Sequence, residues 1–376
     1  MGVDFYMSLQ TDSLYMARAL QLAERGLYTT APNPSVGCVL VRDNEVVGEG
    51  WHMRAGGAHA EVNALSQAGE KARGATAYVS LEPCSHYGRT SPCSEALIKA
   101  GVKRVVAAMQ DPNPLVAGKG MAQLHEAGIE VSDGLMRVQA EALNSGYIKR
   151  MRTGIPWVHC KLAMSLDGRT AMASGESKWI TGTAARQQVH RLRARCSAII
   201  TGIGTVLADD PSLNVRLDEE APDGGWIQPV RVVLDPELKI PVNARLLQQD
   251  GRTIIVTANP DDQRIKPLQD CGAEVLHLPL AEGRIDLAAL IAYLGQEQMN
   301  EVLLETGATL SGAMLQAGLI DELKIYMAPH LMGGLARGLF DLPGLDKMDQ
   351  RIDLHISDIR AVGADWCITA KVMGKA

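Results

Sequence analysis

The alternation of apolar and polar positions in the first half of the chain predicts helices and strands in turn. Apolar residues about one helical turn apart indicate a helix, and a short apolar run bounded by turn residues indicates a buried strand. We expect helices at 13–25, 61–67 and 92–100, and strands at 36–41, 45–50, 75–81 and 102–109. Strands that alternate with helices are typical of an α/β sandwich, which we predict here.

A polar and basic stretch at residues 144–154 interrupts this alternation before a new strand begins at Trp157. We therefore place a boundary there and expect two domains, residues 1–150 and residues 151–376. The length of 376 residues agrees with two domains, since a typical domain has roughly 100–200 residues. In the second half we expect strands at 198–201, 230–234, 253–257 and 302–304, separated by helices.

Composition and charge exclude several classes of protein. The chain is 46% apolar and 21% charged, as ordinary globular proteins are. A net charge of −6 argues against a broad basic surface that binds the nucleic-acid backbone. We see neither an apolar stretch that could span a bilayer nor an export signal, and the seven cysteines do not indicate a disulfide framework. We therefore expect a cytoplasmic protein without nucleic-acid or membrane partners.

The strongest chemical signal is a histidine and a glutamate two residues apart, His59 and Glu61, followed by Cys84 and Cys93. One imidazole and two thiols are three zinc ligands, and catalytic zinc sites keep the fourth position open. Glu61 supplies a carboxylate for proton transfer. This order of residues is the signature of zinc-dependent hydrolytic deaminases. We therefore predict that His59, Cys84 and Cys93 bind zinc and that Glu61 moves the protons.

The local context of the cysteines leads to further expectations. We expect Cys84 at the end of a strand and Cys93 in the first turn of a helix, with Ser91 as N-cap and Pro92 at the first helical position. The helix dipole there favours thiolate. The signature has two residues between its cysteines and this chain has eight, so the inserted residues 85–90 are expected to serve a different substrate. The alternative to a zinc site is that His59 is a packed or surface histidine and that Cys84 and Cys93 are core thiols.

Motifs along nearly the whole chain resemble the bifunctional riboflavin-biosynthesis deaminase/reductase family, the RibD/RibG type. In the first half the resemblance rests on HAE, PCSHYGRTSPC, PNPSVG at 32–37 and DPNPLVAGKG at 111–120. In the second half it rests on KLAMSLDGRTA at 161–171, SGESKWIT at 174–181, TGIGTVLADDPSLNVR at 201–216 and LLETGATLSGAML at 303–315. Ser91 stands where the family more often has proline, and Thr306 replaces a usual glycine.

This resemblance implies a cytidine-deaminase-like α/β/α sandwich followed by a dihydrofolate-reductase-like α/β domain. The first domain would be a zinc-dependent deaminase that converts 2,5-diamino-6-(5-phosphoribosylamino)pyrimidin-4(3H)-one to 5-amino-6-(5-phosphoribosylamino)uracil. The second would reduce the ribosyl group to ribityl with NADPH. We also expect a homo-oligomer, either a dimer or a tetramer.

The resemblance further implies which residues contact the substrate and the cofactor. Those expected at the phosphoribosyl pyrimidine are Asn33, Ser177, Arg193, Leu213, Arg216 and Glu305. Those expected beside NADPH are Ala163, Trp179, Thr205, Asp209, Gly307, Ala308, Thr309, Leu310, Ser311, Gly312 and Ala313. The stretch from 305 to 316 reads as a strand end, a glycine and a helix, so its backbone N–H groups suit a phosphate, and it lacks the lysine of an ATP-binding loop.

Structural alternatives stay open for several of these residues. Asn33 before Pro34 can simply shape a turn, Trp179 can be a core aromatic, and the arginines between 186 and 195 can form a solvated helix face. Two other classes of protein also compete. A nucleic-acid deaminase fits poorly with the acidic charge balance and the 4% aromatic content, and a structural zinc module usually closes with four ligands.

Overall fold

The computed structural model describes residues 2–87, 91–281 and 283–373. The chain divides into two compact units, Met1–Gly154 and Ile155–Ala376. No helix within those described ranges combines the length and apolar character needed to cross a membrane. All seven cysteines are free, and Cys38, Cys160 and Cys196 are buried.

The first unit is a five-stranded sheet in the order β2-β1-β3-β4-β5 with helices on both faces. Strand β1 is antiparallel to β2 and β3, whereas β3, β4 and β5 are parallel. Its elements are α1 Gly2–Glu24, β1 Gly37–Arg42, β2 Glu45–Trp51, α2 Ala60–Ala68, β3 Thr76–Val79, α3 Cys93–Ala100, β4 Arg104–Ala107, α4 Lys119–Glu126, β5 Glu130–Asp133, α5 Arg137–Leu143 and α6 Ser145–Thr153.

Two apolar cores lie on opposite faces of this sheet, because successive side chains of a strand point to opposite sides. Val39 and Val41 of β1 belong to the core that also contains residues of α1, α5 and α6. Cys38 and Leu40 belong to the core shared with α2, α3 and α4. The predicted α/β sandwich is therefore confirmed as three layers.

Two predictions about this half are wrong in detail. The stretch 144–154, expected as a break between elements, contains α6, Ser145–Thr153, because Tyr147 and Ile148 bury an apolar face against the core. The first helix begins well before residue 13, at Gly2.

The surroundings of the two cysteines also differ from expectation. Helix α3 begins at Cys93 with Pro92 as its N-cap, and Ser91 does not cap it. The first N–H groups of α3 instead reach the Cys84 segment: Cys93 N–H donates to Cys84 Sγ (3.4 Å) and Ser94 N–H donates to Cys84 O (3.1 Å). Cys84 lies in a loop beyond the end of β3. From there it accepts hydrogen bonds from the first N–H groups of α3, which have no partner within the helix.

The second unit contains a nine-stranded sheet in the order β11-β10-β9-β8-β14-β6-β15-β18-β17. Its elements are β6 Trp157–Ser165, β7 Arg169–Ala171, α7 Thr183–Arg195, β8 Ala198–Gly202, α8 Ile203–Asp209, β9 Val230–Leu234, β10 Thr253–Thr257, α9 Asp262–Asp270, β11 Glu274–His277, β12 Leu280–Ala281, β13 Arg284–Ile285, α10 Leu287–Gln296, β14 Glu301–Leu304, α11 Ala308–Gln316, β15 Glu322–Ala328, β16 Arg337–Gly338, β17 Leu354–Val362 and β18 Asp365–Val372.

The seven strands from β11 to β15 in this order are parallel, β18 runs antiparallel to them beside β15, and β17 runs antiparallel to β18. The four strands predicted from the sequence are all present, at β8, β9, β10 and β14. Because β8, β14 and β6 are neighbours and parallel, their carboxyl ends meet at one edge, where α/β proteins bind ligands.

Candidate active sites

Three side chains of zinc-ligand type meet in the first unit. The Nδ1 atom of His59 lies 3.5 Å from Cys84 Sγ and 3.3 Å from Cys93 Sγ. The three ligand atoms lie within 4.8 Å of one another, as close as one metal ion requires. His59 is the N-cap residue of α2, Cys93 opens α3, and Cys84 lies in the loop before α3. The fold thus brings together the three residues that the sequence singles out.

The electrostatics of this cluster favour a cation. Hydrogen bonds with Cys93 and His59 lower the pKa of Cys84, which favours its thiolate form. The hydrogen bond to Cys84 in turn raises the pKa of His59. A thiolate beside an imidazole and a second thiol is the nitrogen and sulfur donor set that zinc prefers.

Glu61 lies beside the cluster as the second residue of α2, and only 3% of it is exposed. No lysine or arginine of the described residues forms an ion pair with it. Burial, followed by the charge of Cys84, raises the pKa of Glu61 to about 7. A carboxyl group that titrates near neutral pH can both accept and release a proton there.

The amide of Asn33 is oriented by a histidine that sequence reasoning missed. His52 Nδ1 lies 3.0 Å from Ala58 O, and because a carbonyl only accepts, Nδ1 carries the hydrogen. Burial lowers the pKa of His52, so the ring is neutral and Nε2 accepts a hydrogen bond from Asn33 Nδ2 at 3.1 Å. The His52 ring contacts His59 edge-on. A single histidine outside a motif carries no sequence signal.

A second residue that sequence reasoning missed is Glu82, two positions before Cys84. Its buried carboxylate accepts backbone N–H groups of Asp111, Gly118, Gly120 and Met121 at 3.0–3.2 Å. A side chain at Gly120 would place its Cβ 1.9 Å from Pro83 O. The motif at 111–120 therefore holds the segment 82–84, which contains Cys84, through these hydrogen bonds and this close backbone contact. We call this contact the clamp.

The insertion between the two cysteines is described only in part. Tyr87 is 74% exposed, and its hydroxyl donates to the Glu95 carboxylate at 2.8 Å. Residues 88–90 lie outside the described residues. That this insertion serves the substrate stays a prediction.

In the second unit, the residues expected beside NADPH, apart from Trp179, lie at or after the ends of three neighbouring parallel strands. Ala163 lies near the carboxyl end of β6, and Thr205 and Asp209 lie on α8, directly after β8. The run from 307 to 313 follows β14. These strands end at the same edge of the sheet, so the predicted cofactor residues share that edge.

The run after β14 divides into an open and a packed part. Gly307 is the N-cap of α11, and Gly307 and Thr309 are exposed, so the free N–H groups of the first turn are accessible to an anion. Ser311 and Gly312 are buried, and a Cβ at Gly312 would lie 1.9 Å from Asp341 O. These two residues pack against protein rather than facing solvent.

Trp179 is on the surface, so the alternative of a core aromatic is wrong. It is 73% exposed, and the guanidinium of Arg186 lies 4.8 Å from its ring centre. The preceding residue, Lys178, forms an ion pair with Asp209 (3.2 Å), which links the segment of Ser177 and Trp179 to α8.

The two arginines predicted to contact the substrate differ in their partners. Arg193 forms a two-pronged ion pair with Glu305 (2.6 and 2.9 Å) and donates from Nη1 to Asn214 O (3.0 Å). Both partners of this pair are nearly buried, with 13% and 12% of their side chains exposed. Although burial opposes it, Arg193 lowers the pKa of Glu305, which is therefore ionised.

Arg216, in contrast, is exposed, and its guanidinium has no partner among residues 2–87, 91–281 and 283–373. Arg216 lies three positions after the buried Leu213, whose φ of +47° is a left-handed conformation.

Lys161 on β6, for which the sequence predicts no role, lies close enough to Glu305 to interact with its charge.

A second group of ligand-type residues in this unit is an ion-pair network. His159, Cys196 and Glu301 lie close together. However, His159 bonds Glu322 through Nδ1 (2.9 Å) and Glu301 through Nε2 (3.0 Å), and Arg195 binds Glu301 with two bonds. Burial opposes the charge of His159, but these carboxylates raise its pKa. The ring nitrogens of His159 and the carboxylate of Glu301 are thus engaged by hydrogen bonds within the protein.

Comparisons with protein families match both halves of the chain. Residues 9–109 match the model of the cytidine and deoxycytidylate deaminase zinc-binding region. Residues 156–368 match the model of the RibD C-terminal domain, more than half of the chain.

Full-length relatives and solved structures give the same result. Riboflavin biosynthesis protein RibD of Escherichia coli is 54% identical over 364 residues, which is 95% of this chain and 98% of that protein. A structure of Acinetobacter baumannii RibD is 49% identical with a TM-score of 0.90, covering 97% of this chain and all of that one. A Thermotoga maritima diaminohydroxyphosphoribosylaminopyrimidine deaminase/5-amino-6-(5-phosphoribosylamino)uracil reductase is 30% identical with a TM-score of 0.85, at the same coverage.

Proposed function

Because the chain belongs to the RibD family of riboflavin-biosynthesis proteins, we propose that its two units catalyse successive steps on one phosphoribosyl pyrimidine. The chain is a bifunctional enzyme that combines a zinc-dependent deaminase with an NADPH-dependent reductase. We assign the deaminase to residues 1–150 and the reductase to residues 151–376. The substrates are those named for the Thermotoga protein, deaminated first at the pyrimidine and then reduced at the ribosyl group.

In the first unit, His59, Cys84 and Cys93 hold the zinc ion. Their donor set and the 4.8 Å limit on the separation of their ligand atoms support this assignment, and three protein ligands leave one position open. When bound there, zinc supplies Lewis-acid activation of water at neutral pH. The lowered pKa of Cys84 favours the thiolate that zinc binding requires.

Glu61 carries the protons of the deamination. It accepts the proton of the attacking water, protonates the ring nitrogen beside the attacked carbon, and then helps ammonia to leave. Its near-complete burial and its pKa of about 7 support its action both as proton acceptor and as proton donor. Asn33 orients the ring, because the bond from its amide nitrogen to His52 leaves Oδ1 to accept from an N–H group of the pyrimidine.

In the second unit, Arg216 holds the phosphate of the substrate. Its guanidinium is free and exposed, whereas the nitrogens of Arg193 are engaged by Glu305 and Asn214. Arg193 therefore acts through Glu305, whose ionised carboxylate accepts hydrogen bonds from ribose hydroxyl groups. Ser177 and Leu213 complete the substrate contacts.

The cofactor lies at the edge where β8, β14 and β6 end. The free N–H groups at the start of α11 bind its phosphates, and Ala163, Trp179, Thr205 and Asp209 border it. Leu310, Ser311, Gly312 and Ala313 support this turn from behind. When bound, NADPH would supply a hydride for the ribosyl carbon, and a proton from solvent or protein would go to the ring oxygen as the sugar opens to ribityl.

The observation that carries the proposal is the meeting of His59, Cys84 and Cys93 beside the buried Glu61. A coupled assay tests it directly: purified protein receives the diaminopyrimidine nucleotide, and ammonia and NADPH absorbance are followed together. We expect one ammonia released and one NADPH oxidised per substrate. Ammonia release from single-stranded DNA would instead favour the nucleic-acid deaminase, and zinc binding without turnover would favour the structural module.

We further propose a homo-oligomer, a dimer or a tetramer, located in the cytoplasm without nucleic-acid or membrane partners. Strand β17 is an edge of the sheet, and its Leu354, Ile356 and Ile359 are 43–54% exposed, as is Trp366 of β18 at 45%. Edge strands with exposed apolar residues are usually covered. Seven free cysteines agree with a reducing compartment. Light scattering should give an oligomer that Ile356→Glu dissociates.

A further inference from the structure

We infer that His190 is a positioning residue for substrate binding in the second unit, because it fixes the loop 213–216 that presents Arg216. This inference rests on the proposed role of Arg216 as the phosphate contact. His190 lies on α7, and the family resemblance gives it no role.

The contact is a direct one between the imidazole and the loop backbone. The main-chain N–H of Arg216 donates to Nδ1 of His190 at 3.1 Å. The His190 side chain therefore holds the backbone of the residue whose guanidinium is free.

The ring is suited to this role because it stays neutral. Burial, and then the guanidinium groups of Arg193 and Arg216, lower the pKa of His190 to about 4. At neutral pH Nδ1 therefore keeps its lone pair and accepts the bond from Arg216. The neutral ring also avoids charge repulsion with the guanidinium groups of Arg193 and Arg216.

Other residues of α7 contact the same loop region at different points. Arg193 donates to Asn214 O (3.0 Å), Gln187 to the Asp218 carboxylate (2.8 Å) and Arg191 to Glu219 (2.7 Å). Among the described residues, His190 alone has a side chain bonded to the backbone of Arg216.

The loop requires such support because its conformation is not the intrinsic preference of the chain. Leu213 has a φ of +47°, a left-handed conformation that a branched side chain adopts only when its surroundings hold it. A single free guanidinium grips a phosphate best when it is pre-positioned, since ordering it at the moment of binding weakens affinity.

The test uses the full-length protein, the deaminated intermediate as substrate and NADPH oxidation as readout. His190→Phe keeps a ring of similar size and removes the acceptor, so KM should rise about 3- to 10-fold, the value of one hydrogen bond, with kcat within about twofold. His190→Asn places an acceptor near the Nδ1 position and should return KM to within about twofold. Arg191→Ala, on the same helix, is the matched control with normal KM.

A double variant separates positioning from general support of the fold. If His190 acts through Arg216, then His190→Phe combined with Arg216→Ala should raise KM no further than Arg216→Ala alone. Additive effects, a normal KM in His190→Phe, or an equal rise in the KM for NADPH would overturn the inference. A normal KM in Arg216→Ala would instead refute the proposed phosphate contact. If His190→Phe does not fold, His190→Leu serves in its place with the same expected outcomes.

Discussion

Replacing Arg193 and Arg216 separately by alanine should give two different defects, although both arginines belong to the same predicted set. Arg193→Ala leaves the ionised Glu305 nearly buried without its two-pronged partner. Removing one member of a buried ion pair typically costs about 3–5 kcal/mol of the free energy of unfolding. Lys161 lies near Glu305 and compensates part of the charge, so we expect about 3 kcal/mol.

Arg216→Ala removes an exposed group without a partner among the described residues and should change the free energy of unfolding by less than about 0.5 kcal/mol. Its effect should appear in substrate binding, where loss of a charge-assisted phosphate contact costs about 2–4 kcal/mol, or roughly 30- to 1,000-fold in kcat/KM. The two variants therefore separate a stability defect from a binding defect.

Urea unfolding followed by tryptophan fluorescence measures the first quantity, since four of the five tryptophans, at 157, 179, 226 and 366, lie in the second unit. Arg191→Ala is the control, because the exposed pair of Arg191 with Glu219 contributes about 0–1 kcal/mol. Adding Glu305→Gln to Arg193→Ala should recover stability by removing the unpaired charge. Equal stability of Arg193→Ala and Arg191→Ala would refute the reasoning.

Three further variants probe the other features. Cys93→Ser should lose both bound zinc and ammonia release, measured by metal analysis and enzyme assay; full zinc content would contradict its role as a ligand. Gly120→Ala should weaken zinc retention against a chelator, because its Cβ would meet Pro83 O at 1.9 Å; unchanged retention would show that the clamp does not act on the site. His159 has a raised pKa, so its contribution to stability is complete below about pH 6.5 and is lost as pH rises through its folded pKa. The stability of the second unit should therefore decline above that pH in the wild type and lose this slope in His159→Gln; identical slopes would reject the assignment.

Periodic segments were the part of the fold that the sequence predicted well. Strands β9 and β10 have the predicted bounds, because continuous apolar runs between turn residues leave few alternatives for buried parallel strands. Helix α6 was missed because its apolar residues Tyr147 and Ile148 are few, and only the core that they complete reveals its amphipathic character. The strands β17 and β18 were also missed. Nearly all of β17 is exposed, so its apolar and polar residues do not alternate between a buried and an exposed face.

The meeting of His59, Cys84 and Cys93 was predictable, because residue type and order restrict the chemistry strongly. The partners of those residues were not. The ion pair of Arg193 with Glu305 joins residues 112 positions apart, and no local pattern encodes that contact. Glu82 and His52 likewise act through backbone and side-chain bonds that depend on the packed fold.

The central claim, two separate reactions at two sites of one chain, is tested most directly by Glu61→Gln. This variant keeps the shape of the carboxyl group and removes its proton transfer, so zinc should stay bound while ammonia release falls at least about 100-fold. Supplied with the deaminated intermediate, the same preparation should oxidise NADPH at the wild-type rate. Near-normal ammonia release, or loss of NADPH oxidation in a folded and zinc-loaded protein, would contradict the account.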